Sequence, residues 1–207
     1  MGTFVWSPNS SKIFYSATDE DGRNKGQNVT WSITVAATKP NVNNSGKQNV
    51  MLGVISVERI TRGYDDDFAF APDGKTLFFT RMSIRRPSEI QKLTLPAKID
   101  PYDLPEGEQL THVNDALLAQ VDMSPIESYW FEGAEKAKVQ GFLIKPPNFD
   151  PKKKYPVKLL IHGGPQGAWG DDWSYRWNAE LFAANGYVVL QINPRGSTGY
   201  GKNLSTM

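Results

Sequence analysis

Cysteine is absent from all 207 residues. That excludes disulfides, thiolate metal sites and a cysteine nucleophile, while leaving the compartment open. No stretch of about 18 consecutive apolar residues occurs, so the sequence offers no transmembrane helix. The opening run MGTFVWSPNSSK has neither a basic segment nor an apolar one, and no signal peptide is visible in it. Charge of one sign is also missing: the formal net charge is +1. Nothing electrostatic therefore calls for a nucleic acid or an anionic membrane as partner.

What is present suffices for a packed core. Hydrophobic residues make up 39% and aromatics 12% of the chain, which argues against disorder. The length allows one large domain or two small ones. Sequons occur at Asn9, Asn28, Asn43 and Asn203. Their excess over chance tilts the expectation slightly towards an exported, periplasmic or secreted protein.

The N-terminal half repeats itself. Ser7–Ser16 (SPNSSKIFYS) aligns without gaps to Ala71–Thr80 (APDGKTLFFT), an offset of 64 residues. In each copy a proline and a turn residue, Pro8-Asn9 or Pro72-Asp73, precede an aromatic run rich in strand formers. Asp73-Gly74 is a hairpin signal, and Leu77–Thr80 reads as the strand after it. Aromatic pairs at equivalent places, Phe14-Tyr15 and Phe78-Phe79, fit strands packed between neighbouring sheets. Such self-similarity indicates a β-propeller, although the period exceeds the roughly 40–45 residues of a WD-type blade. The polar segment Asp19–Gln27 and the asparagine-rich Asn41–Asn49 are expected to be the loops that lengthen it. Two blades cannot close a ring that needs about four to eight. Residues 1–123 are therefore expected to be the C-terminal blades of a longer array.

From Ser124 the pattern changes. Tyr129–Phe131 and Val139–Ile144 read as strands joined by a charged turn, and Lys152–Lys154 as an exposed connector. Val157–Ile161 and Tyr187–Ile192 read as buried strands. Between them, Trp173–Asn185 reads as a helix with Asp172 as N-cap, Trp177, Leu181 and Ala184 on one face, and Asn185-Gly186 as its stop. Strand, helix and strand in succession predict a parallel sheet covered on both faces. Open edges and apolar faces would make such a short slice prone to aggregation without further sequence.

Chemistry concentrates after the first of these strands. His162-Gly163-Gly164-Pro165 stands where the loop after the third strand of an α/β-hydrolase lends a backbone N–H to a developing oxyanion. Glycines suit that task because no Cβ obstructs the approach of a substrate carbonyl. The run LLIHGGPQGAWGDDWSYRWN, followed by GYVVLQINPRGSTGYG, resembles the start of the catalytic domain of the prolyl oligopeptidase family of serine peptidases. The wording leans towards its dipeptidyl-peptidase V and acylaminoacyl-peptidase branches. The resemblance implies a β-propeller fragment over residues 1–123, followed by the N-terminal part of an α/β-hydrolase domain over 124–207. It implies short peptides as substrates and no cofactor, with release of N-terminal dipeptides favoured and acylaminoacyl release left open. It assigns one oxyanion donor to the Gly164 N–H.

Several residues invite rival readings. In α/β-hydrolases the triad runs Ser, Asp or Glu, then His, so His162 comes too early to be the base and is expected to hold its loop by hydrogen bonding. Arg195 lies past the end of a strand, where ligands bind in open sheets, yet its five donors also suit tying loops together. Trp169, Trp173, Tyr175 and Trp177 could line a substrate pocket or pack the helix; Trp169 is the substrate-binding candidate among them. Asp65-Asp66-Asp67 lacks calcium-loop spacing and reads as a solvated turn. His112 reads as a surface residue. Ser197 is not in a G-x-S-x-G context, and that pattern occurs nowhere in the chain. The chain by itself is thus expected to be inactive, as a portion of a serine peptidase. The alternative is a propeller-based protein-binding module or a pseudo-enzyme. Sequence leaves the oligomeric state open.

Overall fold

The structure, a computed structural model, describes residues 3–18, 28–37, 41–42, 48–49, 52–164 and 167–200. Asp19–Gln27, Pro165, and the sequons at Asn43 and Asn203 lie outside the described residues. Contacts divide the chain into two units. One comprises Met1–Ala17, Val29–Thr80 and Ile90–Leu110; the other comprises Thr18–Asn28, Arg81–Glu89 and Thr111–Met207.

The first unit is built mainly on strands β1 (Phe4–Trp6), β2 (Lys12–Thr18), β3 (Asn28–Ala37), β4 (Asn41–Val42), β5 (Gln48–Asn49), β6 (Leu52–Arg59), β7 (Tyr64–Phe70), β8 (Thr76–Ser83), β9 (Arg86–Thr94) and β10 (Glu108–Gln109), with the Arg81–Ser83 end of β8 and the Arg86–Glu89 start of β9 counted in the second. They form two four-stranded sheets, in the orders β1-β2-β3-β6 and β10-β9-β8-β7; β4 and β5 pair as a ribbon within the asparagine-rich segment.

The repeat holds bond for bond at its turns. Ser7 N–H donates to the Lys12 carbonyl at 2.8 Å, and Ala71 N–H to the Thr76 carbonyl at 2.9 Å. Inside each turn Ser10 N–H reaches Ser7 O (2.8 Å) and Gly74 N–H reaches Ala71 O (3.1 Å). The strands that follow differ in phase. Phe14 and Ser16 are buried in β2, whereas β8 buries Leu77 and Phe79, each one place before the matching position. Equivalent strands thus present opposite faces to a single core of Phe14, Ile60, Phe68, Leu77, Phe79 and Leu93. Phe14 meets Phe70 edge-on, with ring centroids 5.0 Å apart.

Asp65 corrects the reading of Asp65–Asp67 as a solvated turn. It lies in β7, fully buried, and accepts hydrogen bonds from the hydroxyls of Thr61 and of Thr30 (3.1 Å). Those donors replace the water that a buried carboxylate loses.

The second unit contains α1 (Asp115–Leu118), β11 (Glu127–Glu132), β12 (Lys138–Ile144), β13 (Val157–Leu160), α2 (Ala179–Ala184) and β14 (Val188–Asn193). The sheet order is β11-β12-β14-β13. β13 and β14 pair in parallel, as a crossover requires, with Leu159 opposite Leu190. β12 runs antiparallel to both β11 and β14. The sheet is therefore mixed rather than parallel throughout.

Nor is it covered on both sides, since Val157, Leu159 and Ile161 are 59%, 49% and 79% exposed. The opposite face packs Ile144, Leu160 and Val189 against Ala179 and Ala183 of α2. That helix starts later than expected. Asn178 is the N-cap, its side chain accepting the Leu181 N–H at 3.0 Å. Trp177 and Leu181 lie on the exposed side, because Ala179 and Ala183 are the residues small enough to seat α2 close to the sheet. Lys152–Lys154 form an exposed turn, as expected.

Candidate functional site

The loop from Ile161 to Gly170 begins where β13 stops, at the carboxyl end of a strand with a parallel neighbour. Ligands of open α/β sheets bind at such ends. Gly163 and Gly164 are both exposed. Gly164 has φ of 135°, a conformation that side chains disfavour. A Cβ on Gly163 would meet nothing within 4 Å, whereas one on Gly167 would lie 2.9 Å from the Gly163 carbonyl oxygen. The loop folds back on itself at Gly167 and stays open at Gly163. Beside it a cavity of about 430 Å³ is lined by Leu159–Gly163, Trp169 and Trp177.

His162 serves as a tie. Its Nδ1 lies 3.0 Å from the Gly163 carbonyl and its Nε2 3.0 Å from Ser197 Oγ. A carbonyl only accepts, so Nδ1 carries the proton, and in the neutral ring Nε2 accepts the Ser197 hydroxyl. Ser197 is fully buried. This is the geometry of a serine–histidine pair without access to a substrate, and a carbonyl stands where a triad has its carboxylate.

Further ties come from the segment after β14. Asn193 Oδ1 accepts the Trp169 N–H at 2.7 Å, while its Nδ2 donates to the Trp169 carbonyl at 2.9 Å. Thr198 N–H donates to the Gly167 carbonyl at 3.0 Å. Tyr200 donates to Gln140 Oε1 at 2.6 Å and accepts from Asn193 Nδ2. Burial pushes the Tyr200 hydroxyl up to about 12, so it stays protonated as this donor. Sequence reasoning singled out the NPRGSTGYG wording but missed what its Asn, Ser and Tyr bind. The available signal was their polarity beside a buried strand end.

The remaining candidates fall in two places. Trp169 packs edge-on to His162, with centroids 6.2 Å apart, and its Nε1 donates to Leu160 O at 3.1 Å. One face lines the cavity. Trp173 and Tyr175 instead meet each other edge-on, at 5.7 Å, away from that lining. Arg195 donates to Glu135 at 2.7 Å, bridging the loop after β14 to the turn between β11 and β12. His112 is exposed and lies 2.7 Å from Asp115.

Three buried or half-buried carboxyls lie in and before α2. Glu180 is 5% exposed and accepts the Ser124 N–H at 3.2 Å. Burial raises its carboxyl to about 7, against the opposing pull of that bond and of Arg85. Burial likewise raises Asp171, which accepts the Ile84 N–H at 2.7 Å, and Asp172. Among the described residues no group of His, Asp and Glu has the arrangement of a metal site.

Residues 173–207 match the model of the prolyl oligopeptidase family. The chain is 48% identical over 140 residues to the dipeptidyl-peptidase 5 of Arthroderma otae, a match covering 67% of this chain and 18% of that protein. It is 36% identical over 138 residues to the dipeptidyl-peptidase 5 of Schizosaccharomyces pombe, covering 65% of this chain and 18% of the relative. The matched region thus spans under a fifth of the length of these relatives. In fold, the chain superposes on the acylaminoacyl peptidase of Pyrococcus horikoshii with a TM-score of 0.65 at 22% identity, covering 94% of this chain and 25% of that one. Against dipeptidyl peptidase 4 of Porphyromonas gingivalis the TM-score is 0.60 at 18% identity, with 99% and 26% covered.

Proposed function

The chain is similar to the prolyl oligopeptidase family in sequence and in fold, and from that premise we propose that it is a portion of a serine peptidase acting on short peptides. In this reading residues 1–123 are the last blades of a propeller, and residues 124–207 open an α/β-hydrolase domain. The opposite-facing strands around one core support the first assignment, since stacked blades pack front against back. The exposed apolar residues of β13, an edge strand with a parallel neighbour, support the second. Helices of further βαβ crossovers would cover them.

The observation that carries the proposal is the exposed Gly163-Gly164 turn at the carboxyl end of β13, beside a cavity. A peptide carbonyl seated there would be attacked by a serine hydroxyl from sequence beyond these residues, its proton passing to a histidine base from the same sequence and then to the leaving amine. The carbonyl oxygen would gain negative charge as the tetrahedral intermediate forms, and the Gly164 N–H would donate to it. Trp169 would form one wall of the pocket. Release of N-terminal dipeptides is the specificity that the names of these two relatives suggest.

Turnover of a dipeptide p-nitroanilide tests this. The 207-residue chain is expected to show none, and the longer gene product to show turnover that a peptide chloromethyl ketone blocks. In that product Gly164→Ala, unable to hold φ at 135° without strain, should cost roughly 10²-fold or more in kcat, the scale of losing one oxyanion donor. Hydrolysis by the isolated chain, or a silent long product, would overturn the proposal.

A further inference from the structure

A loop without regular structure must obtain its conformation from elsewhere, because its backbone groups have no ladder to join. The described parts of the loop, 162–164 and 167–169, obtain it from the strand end opposite. Asn193 meets both polar backbone groups of Trp169, and its orientation follows from them: the N–H needs the side-chain oxygen, and the carbonyl needs the side-chain nitrogen. The second proton on Nδ2 goes to Tyr200, whose own proton goes to Gln140. Gln140 Nε2 in turn donates to Ser128 Oγ at 2.7 Å. Asn193, Gln140 and Tyr200 are 3%, 3% and 8% exposed. The chain from β14 through β12 to β11 is directional, with both Asn193 protons spent, and its buried members, Asn193, Tyr200 and Gln140, hold one another in a rigid arrangement.

We propose that Asn193, oriented by Tyr200, is a positioning residue that fixes the Gly163-Gly164 turn in the conformation used to stabilise the oxyanion. The proposal rests on the peptidase reading above. Asn193 touches no reacting atom. It acts through Trp169, five residues along from Gly164, and Thr198 N–H adds a second fixed point at Gly167. Asparagine is required because a carboxylate at 193 could still accept from the Trp169 N–H but would set an oxygen against the Trp169 carbonyl. Small displacements of an aligned donor are costly: about 1 Å can cost on the order of 10²-fold in rate.

The test uses Asn193→Asp and Tyr200→Phe in the longer gene product, read by steady-state kinetics and by amide exchange of the 162–169 segment. Asn193→Asp is expected to lower kcat by roughly 30- to 100-fold with KM within about twofold, since uniform substrate binding is untouched. Exchange across 162–169 should quicken. Tyr200→Phe, which loses one hydroxyl and keeps the ring, should move both readouts the same way by about fivefold. It remains informative if Asn193→Asp does not fold. An active Asn193→Asp variant with unchanged exchange at 162–169 would overturn the clamp while sparing the peptidase reading. So would a rise in KM at constant kcat. A wild type without turnover would overturn the peptidase reading, and the positioning role with it.

Discussion

The turns of the repeat and the glycine loop are held by opposite means. The turns hold themselves. Asn9 Oδ1 accepts from Ser11 N two residues on (3.1 Å), and Asp73 Oδ1 accepts from Lys75 N (2.8 Å) and Thr76 N (2.9 Å). These bonds draw the Asp73 carboxyl below its ordinary value, with the Lys75 N–H contributing most. Among its described residues the glycine loop has few local ties, namely the contact of His162 with the neighbouring carbonyl and the Trp169 indole N–H on the Leu160 carbonyl. Its other ties reach 24 residues to Asn193 and 35 to Ser197. A turn with its own acceptor needs only local contacts to define its shape. A loop tied across a sheet takes its shape only when that sheet does. The second arrangement suits a site whose geometry must be set by a rigid support.

The two cores differ in the same sense, and the largest expected effect tests that difference. Leu77, with no exposed surface, sits in the closed core of the first unit. Leu77→Ala should cost about 2–5 kcal/mol in urea unfolding, from lost transfer energy and the cavity left behind. Leu159, 49% exposed on the uncovered face of β13, should cost well under about 1 kcal/mol when truncated in the isolated chain. In the longer gene product that the peptidase reading calls for, the same Leu159→Ala change should become as costly as a core truncation, if further structure covers that face. Equal small effects in both settings would break the comparison and the open-edge argument with it.

Next in size is a pH effect confined to the second unit. Glu180 has its carboxyl raised by burial from 4.5 to about 7. A raised acid binds its proton more tightly folded than unfolded. Its contribution is therefore fully present below about pH 4.5 and is lost as pH climbs through about 7. The loss should reach at most about 2 kcal/mol once residual solvent screening is allowed for. Glu180→Gln should flatten stability between those limits. Asp73, lowered rather than raised, gives the turn of the repeat the opposite sign, favouring high pH. A profile for Glu180→Gln that superposes on wild type would remove the contrast.

A smaller effect separates the two candidate helix starts. Asn178→Ala deletes the side chain that accepts the Leu181 N–H and should cost about 1 kcal/mol. Asp172 makes no bond to the helix start, so Asp172→Asn should leave α2 helicity unchanged by circular dichroism.

What the sequence made legible follows the division between near and far partners. The repeat, its two turns and the β13–β14 crossover were readable because proline, asparagine, glycine and apolar runs act within a few residues. The start of α2 was misread because aromatic residues from Trp173 to Trp177 imitate a helical face, while burial by Ala179 and Ala183 depends on a sheet assembled from distant strands. Asp65 was misread for a similar reason: a run of three aspartates looks solvated until Thr30, 35 residues away, is brought beside it. At the candidate site the open glycine loop was legible and the bonds that tie it to Asn193 were not. Nothing local marks Asn193 as the partner of Trp169.

The smallest effect makes the comparison within the repeat itself. Ser10 and Gly74 occupy the same turn position, with φ of 56° and 66°. For a residue with a Cβ that conformation costs about 1 kcal/mol, which glycine escapes while losing more backbone entropy on folding. The two terms largely offset, so Ser10→Gly should stabilise by only about 0.5 kcal/mol, and Gly74→Ser should destabilise by a similar amount. A Cβ on Gly74 would lie 3.6 Å from Pro8, an ordinary contact, so conformation rather than crowding sets the sign. Opposite shifts of similar size in urea midpoint would show that the copies obey one local rule. Shifts of the same sign would mean that contacts beyond the turns, and not the turns themselves, govern both.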